Sequence, residues 1–489
     1  MIYDNLLAIA AKAPASSGLR QGEQFLSYAA LVERIARLAA GFADRGIGRG
    51  DVVALLIPNS PEIFVVAHAL FAIGAIAMPL GTTATRAELA SLAAKSGLAA
   101  IVAAPAHKTA AESLIADVAP AAALFLTSAL ADLEIAVTTP LPNLSGQTTA
   151  LYLSSSGSTG LPKIVPHTHA ELIADGVRTS TTWDLQPEDV VLNILPSNFA
   201  VGFLLGTMNA VARGATTLYW SDSLPLALSR KKLLDAMVAH RVSFTGAVPA
   251  MYEILAAQGG AFDLSALRLA FSGGAALKRP IFEAMRARFG ITLRQAYGST
   301  EAIMVSHNTS ADPDASWASV GRPAGDAEVR IAPYETELGP DVGELLVRSS
   351  SLMQGYLGEP AANAQAFDDG WFRTGDLASL DDEGRLFIRG RSKLLIEVSG
   401  YKIDPIEVEE TLAAHPLVED AAVIGVPDTR SGNRLRAYVV RTADVSEDEL
   451  IRHARGKLSV QKVPAEIAFL EALPKSPTGK LLRGKLREL

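Results

Sequence analysis

The chain has 489 residues, a mass of 51.4 kDa, a formal net charge of −8, 49% apolar and 20% charged residues, and no cysteine. At about 150 residues per domain this is about three domain-sized units, or one large domain with a smaller partner, and the apolar share excludes a disordered chain. The missing cysteine excludes disulfides, thiolate nucleophiles, Cys-ligated zinc and iron–sulfur clusters, and the acidic balance argues against a general nucleic-acid binder. A cytoplasmic multidomain enzyme or binding protein remains.

The N-terminal Met-Ile-Tyr-Asp-Asn lacks the basic and apolar regions of a signal peptide. Residues 63–80 are apolar, with no Asp, Glu, Lys or Arg between Glu62 and Arg86. A membrane-spanning helix needs about 20 such residues, and His68, Gly74 and Pro79 interrupt this run. It reads as a core helix followed by a buried strand.

From about residue 50 to 275, short apolar runs alternate with amphipathic stretches. Runs at 52–57, 99–103, 124–127, 190–195, 216–219 and 267–272 are continuous rather than alternating, as suits strands of a parallel sheet covered on both faces. Thr85-Arg86-Ala87-Glu88 is a helix-starting capping box. A βαβ architecture is expected for this half. After about Asp326 the pattern turns to shorter β segments at 329–332, 344–348 and 384–388. A domain boundary is expected near Gly390-Arg391-Ser392-Lys393. Beyond it, Asp404-Pro405-Ile406-Glu407 carries an N-cap, a first-turn proline and an acid. Strands at 421–426 and 436–441 complete a small α+β unit. Residues 391–489 sum to about +1 and the rest to about −9; from Arg452 to Arg487 nine basic residues face two acids. That stretch is either a solvated surface or a face for phosphate-rich ligands.

Four segments carry candidate chemistry. Ser154-Ser155-Ser156-Gly157-Ser158-Thr159-Gly160-Leu161-Pro162-Lys163 follows the apolar 150–153. Its glycines, hydroxyls and lysine suit a polyphosphate loop, although a flexible linker has a similar composition. It is neither a Walker sequence nor a G-x-S-x-G elbow. In Gln295-Ala296-Tyr297-Gly298-Ser299-Thr300-Glu301, a carboxylate after a glycine turn could hold Mg²⁺ or simply face water. Trp371-Phe372-Arg373-Thr374-Gly375-Asp376, with Gly390-Arg391 behind it, offers an Asp in a tight turn, either a ribose ligand or an Asx-turn. Pro474-Lys475-Ser476-Pro477-Thr478-Gly479-Lys480 is a loop whose lysine either neutralises developing charge or is solvated.

Together and in this order, the four segments resemble the superfamily of AMP-forming adenylating enzymes, which contains acyl-CoA synthetases, peptide-synthetase adenylation domains and luciferases. The resemblance extends from Gly50-Asp51-Val52-Val53 to Arg483. It implies an α/β fold: a large N-terminal domain of stacked βα sheets with a β-rich subdomain (1–390, binding ATP and the carboxylate) and a small mobile α+β lid (391–489). It implies ATP, Mg²⁺ and coenzyme A. A carboxylate attacks the α-phosphate of ATP, giving an acyl-adenylate and pyrophosphate, and a thiol then displaces AMP. The implied phosphate loop is Ser155, Ser156, Gly157, Ser158, Thr159 and Lys163. Thr300 is implied to contact phosphate and Glu301 to hold the metal. Gly273, Gly274, Ala275 and Tyr297 are implied to line the nucleotide site, and Asp376 and Arg391 to bind ribose. Lys480 is implied to be the adenylation lysine, Lys393 the hinge and Gly400 part of the thiol channel. Gly is common after the loop lysine, where this chain has Ile164, and Glu is common at Asn433; neither position touches the reacting atoms.

The implied carboxylate pocket is Phe199, Ala200, Val248, Met251, Ala296, Ile303 and Met304. Amino-acid-activating members carry Asp at the Ala200 position, and a buried unpaired ammonium costs several kcal/mol. A medium-chain or aromatic acid is therefore expected over amino acids and dicarboxylates. Coenzyme A is the expected acceptor. A carrier-protein phosphopantetheine is the alternative, and a nucleotide-binding regulator without turnover is the reading from another class.

Overall fold

The computed structural model describes residues 1–155, 163–334, 338–398, 401–428, 432–475 and 481–489. The chain is mixed α/β and forms two compact units: residues 1–329 with 347–372, and residues 330–346 with 373–489. Arg391 and Lys393 lie inside the second unit, so a hinge there stands as a proposal.

The larger unit holds two big sheets. The six-stranded sheet runs Ala123–Leu126, Leu98–Ala103, Val52–Leu56, Ile76–Pro79, Thr149–Ser155, Lys163–Thr168, parallel except for the last pair. The nine-stranded sheet has a parallel centre, Leu293–Ser299, Leu269–Ser272, Phe244–Ala247, Val190–Asn193 and Thr216–Tyr219. The continuous apolar runs fall on these strands; every residue of the inner strand Val52–Leu56 is buried, whereas the edge strand Ala123–Leu126 is half-buried. The apolar stretch at 63–80 forms the helix Pro61–Ile73 and the strand Ile76–Pro79. Gly74, at φ +75°, ends that helix in a left-handed turn that a β-carbon would disfavour. Among the described residues no helix is long and apolar enough to cross a membrane. The Thr85–Glu88 capping box forms as expected: the Thr85 amide donates to Glu88 Oε2 at 2.7 Å and the Glu88 amide to Thr85 Oγ1 at 3.3 Å.

The smaller unit contains the antiparallel pair Val418–Asp428 and Gly432–Arg441, with Glu466–Phe469 added in parallel. Both long strands start earlier than expected, and the first also ends two residues later. The helix Pro405–Ala413 starts at Asp404, whose Oδ1 accepts the Ile406 amide at 2.9 Å. Asp404 is only 3% exposed. Burial raises its carboxyl to about 6, with Glu407 and Glu410 adding to the rise and the Ile406 amide and Arg483 opposing it. The folded state thus holds this proton more tightly than the unfolded chain. Its contribution is complete below about pH 4 and is lost as pH rises through about 6. Asp404→Asn keeps the cap without the charge. Relative to the wild type it should gain about 2 kcal/mol between pH 4 and 7, read from urea midpoints; a constant difference would disprove the shift.

Candidate active site

The strand Thr149–Ser155 is fastened into the six-stranded sheet by its buried residues 150–153 and returns antiparallel as Lys163–Thr168, with Ser155 opposite Lys163. Ser156, Gly157, Ser158 and Thr159 lie outside the described residues. The Lys163 Nζ stands 4.5 Å from the centre of the Tyr356 ring.

The segment around Glu301 is a tight antiparallel hairpin between Leu293–Ser299 and Ile303–His307, with a register shift at Tyr297 and Gly298. A β-carbon on Gly298 would stand 2.1 Å from the Ile303 carbonyl oxygen, so only glycine lets the strands close here. Ile303 adopts φ +56°, a strained conformation for a β-branched residue. Long-range contacts hold it there. His167 Nε2 lies 2.8 Å from the Thr300 carbonyl, and the Met353 amide donates to the Glu301 carbonyl at 2.8 Å. Ser351 Oγ donates to the Ala302 carbonyl at 3.2 Å. Beyond the strained residue, the Met304 amide donates to Asp175 Oδ1 at 3.3 Å, and its carbonyl accepts from Arg178 Nη2 at 2.8 Å.

Glu301 Oε1 accepts the Tyr356 hydroxyl at 2.9 Å, while Oε2 carries no hydrogen bond among the described residues. One carboxylate oxygen is therefore available to a cation. Among the described residues no three acidic or imidazole groups converge as a metal cage. This donor set fits Mg²⁺, which takes one or two carboxylates and completes its shell with water and substrate phosphates.

The residues expected around the nucleotide and acid are partly united. Gly273, Gly274 and Ala275 follow the strand Leu269–Ser272 at the carboxyl end of the parallel sheet, where α/β folds bind ligands. The Gly273 amide donates to the Ala247 carbonyl at 3.1 Å. A β-carbon on Gly274 would lie 3.6 Å from Val248, and one on Gly273 3.3 Å from the Ala296 carbonyl. Val248 caps the helix Pro249–Ala256, which carries Met251. Ala296 and Met304 share a buried cluster with Trp183, Phe244 and Phe271. Ile303 packs into a different core, against which Ala200 rests. Phe199 is 37% exposed and precedes the helix Ala200–Leu204. Met251 borders a cavity of about 250 Å³ with Ile57, Asn59, Thr82 and Trp220.

In the smaller unit, Asp376 and Arg391 are direct cross-strand partners in Trp371–Leu380 and Leu386–Arg391, with Arg391 Nε donating to Asp376 Oδ1 at 2.5 Å. The tight turn expected at Asp376 is instead mid-strand. Gly375 does take φ +71°, but the Ser392 hydroxyl holds its carbonyl at 3.0 Å and the ladder continues through Asp376. Lys393 lies in the short turn Ser392–Leu394; Gly400 and Lys480 lie outside the described residues.

Tyr356, His167, Asp175 and Arg178 were not selected by sequence. Each is an isolated residue type with no local pattern, and it acquires meaning only through contacts 55 to 133 residues away.

A parallel-sheet α/β unit with a glycine–hydroxyl loop and a lone acid, joined to a small α+β unit, defines an adenylate-forming enzyme. The AMP-binding enzyme model matches residues 8–357 and the AMP-binding enzyme C-terminal domain model residues 407–480, and the chain belongs to this family of ATP-dependent, AMP-forming ligases. It is 33% identical to a feruloyl-CoA synthase of Amycolatopsis sp, over 97% of this chain and 96% of that one. It is 30% identical to a sulfoacetate–CoA ligase of Cupriavidus necator, over 94% and 92%. The crystal structure of ATP-bound MatB from Rhodopseudomonas palustris superposes with a TM-score of 0.89 at 26% identity, covering 100% of this chain and 99% of that chain.

Proposed function

We propose that this ligase activates an uncharged-tailed acid, aromatic or medium-chain, and passes it to free coenzyme A. Relatives at similar identity act on acids as unlike as ferulate and sulfoacetate, so their names do not choose between tails. The observation that carries the reading is Ala200, which rests half-buried against an apolar core where a charged substrate tail would need a partner. Ala296 and Met304, backed by three aromatic rings, support it.

In this reading the protein contributes positioning and charge, with no covalent step of its own. Ser155, Ser156, Gly157, Ser158, Thr159 and Lys163 bind the β and γ phosphates, and Thr300 adds a phosphate contact. Glu301 holds Mg²⁺, which when bound neutralises the phosphate oxygens. Gly273, Gly274, Ala275 and Tyr297 border the nucleotide, and Asp376 and Arg391 take the ribose. Lys480 bridges the attacking carboxylate and the α-phosphate. Rotation of residues 391–489 about Lys393 then withdraws Lys480 and admits the thiol past Gly400.

Carboxylate-dependent ATP–pyrophosphate exchange, with AMP and thioester followed together across a panel of acids, tests the reading. Aromatic and medium-chain acids should support exchange, and Ala200→Asp should lower their kcat/KM by about tenfold or more through an unpaired buried charge. No exchange with any acid would sink the enzyme reading, and indifference to Ala200→Asp would sink the pocket assignment.

A further inference from the structure

Tyr356 meets two of the residues assigned to the phosphate and metal half of the site. Its hydroxyl donates to Glu301 Oε1 at 2.9 Å, and its ring face lies 4.5 Å from Lys163 Nζ. The residue is locked from behind. Asn363 Oδ1 accepts the Tyr356 amide at 2.7 Å, and Asn363 Nδ2 donates to the Tyr356 carbonyl at 3.0 Å. The next amide, of Leu357, donates to the Ile164 carbonyl at 3.0 Å, tying the segment to the strand that begins with Lys163. Tyr356 also packs against the apolar patch of Val165, Met353 and Phe372.

Resting on the adenylating reading of Glu301 and Lys163, we propose that Tyr356 is a positioning residue: its hydroxyl holds one Glu301 oxygen so that the other is presented to the cation, and its ring stations Lys163. A carboxylate whose second oxygen is free to rotate must be ordered each time the metal–nucleotide complex binds, and a donor to the inner oxygen removes that cost beforehand. A lysine ammonium held over an aromatic face keeps its charge and leaves its N–H groups to phosphate.

Tyr356→Phe deletes the hydroxyl and keeps the ring; Tyr356→Leu deletes both. Calorimetry with ATP in excess chelator, and with ATP plus Mg²⁺, separates the two contacts, with melting temperature as the control for folding. Tyr356→Phe should require about tenfold more Mg²⁺ for half-saturation of nucleotide binding and of pyrophosphate exchange, with metal-free ATP affinity and melting temperature unchanged. Tyr356→Leu should in addition weaken metal-free ATP by a few-fold, on the order of one cation–π contact. Wild-type Mg²⁺ dependence in Tyr356→Phe, or equal loss with and without metal, overturns the positioning role. A wild-type protein that binds no Mg·ATP overturns the adenylating reading itself, and this inference with it.

Discussion

Lys480→Ala should cut carboxylate-dependent ATP–pyrophosphate exchange by about 10²–10³-fold, the usual loss when one group that stabilises transition-state charge is removed. The loop carrying it is closed at its base: Lys475 and Leu481 form an antiparallel bridge, and the Leu482 amide donates to the Pro474 carbonyl at 2.8 Å. Lys480 itself lies outside the described residues. Its proposed work is confined to the first half-reaction, where a carboxylate and a phosphate must approach one another against their like charges. Thioester formation from supplied acyl-adenylate and CoA should therefore fall by no more than about threefold, a split that separates transition-state loss from general damage. Equal loss in both halves would contradict the rotating-lid model and return Lys480 to a structural role.

Arg178→Ala should strongly destabilise the protein. Arg178 and Asp175 are one turn apart on the helix His169–Thr182, and their side chains are 3% and 1% exposed. Arg178 donates to Asp175 Oδ1 at 3.0 Å, Asp326 Oδ1 at 3.0 Å, Ser351 Oγ at 2.5 Å and the Met304 carbonyl. Burial pushes the Asp175 carboxyl up; Arg178, the Met304 amide, Asn209 and Thr179 pull it back. Removing the arginine leaves a buried acid without its charge partner, a loss of about 3–5 kcal/mol. At roughly 2 °C per kcal/mol for a large domain, the melting temperature should drop by about 6–10 °C. The double variant Asp175→Leu, Arg178→Met should lose less than the sum of the single changes, because an apolar pair removes the uncompensated charge as well as the bond. The same clamp holds Met304 next to strained Ile303, two residues from Glu301, so exchange should fall in parallel with stability. Additive single changes would show that the two residues act independently.

Much of the scaffold was legible before any coordinates. The strands Val52–Leu56 and Leu98–Ala103 announce themselves as unbroken apolar runs because both their faces are covered, and the helix starts at Thr85 and Asp404 are written in neighbouring residues. The candidate chemistry-bearing segments were also local in the sequence, since a run of glycines and hydroxyls or a proline-flanked lysine is a property of about ten consecutive residues, and the roles given to them stand as proposals. Where local cues competed, they failed: Gly375 suggested a turn, but pairing of Asp376 with Arg391 kept the strand going.

The division follows the range of the forces involved. Periodicity, caps and motif composition act over a few residues, so the amino-acid order alone decides a family of adenylate-forming ligases, its parallel sheets and the residue types at its reactive loops. The meeting of Tyr356 with both Glu301 and Lys163, and the grip of Arg178 on Met304, close loops of 55 to 193 residues and leave no trace in local pattern. Which oxygen of Glu301 is held by a hydrogen bond is settled by packing, because only the folded chain brings the Tyr356 hydroxyl to one side of that carboxylate.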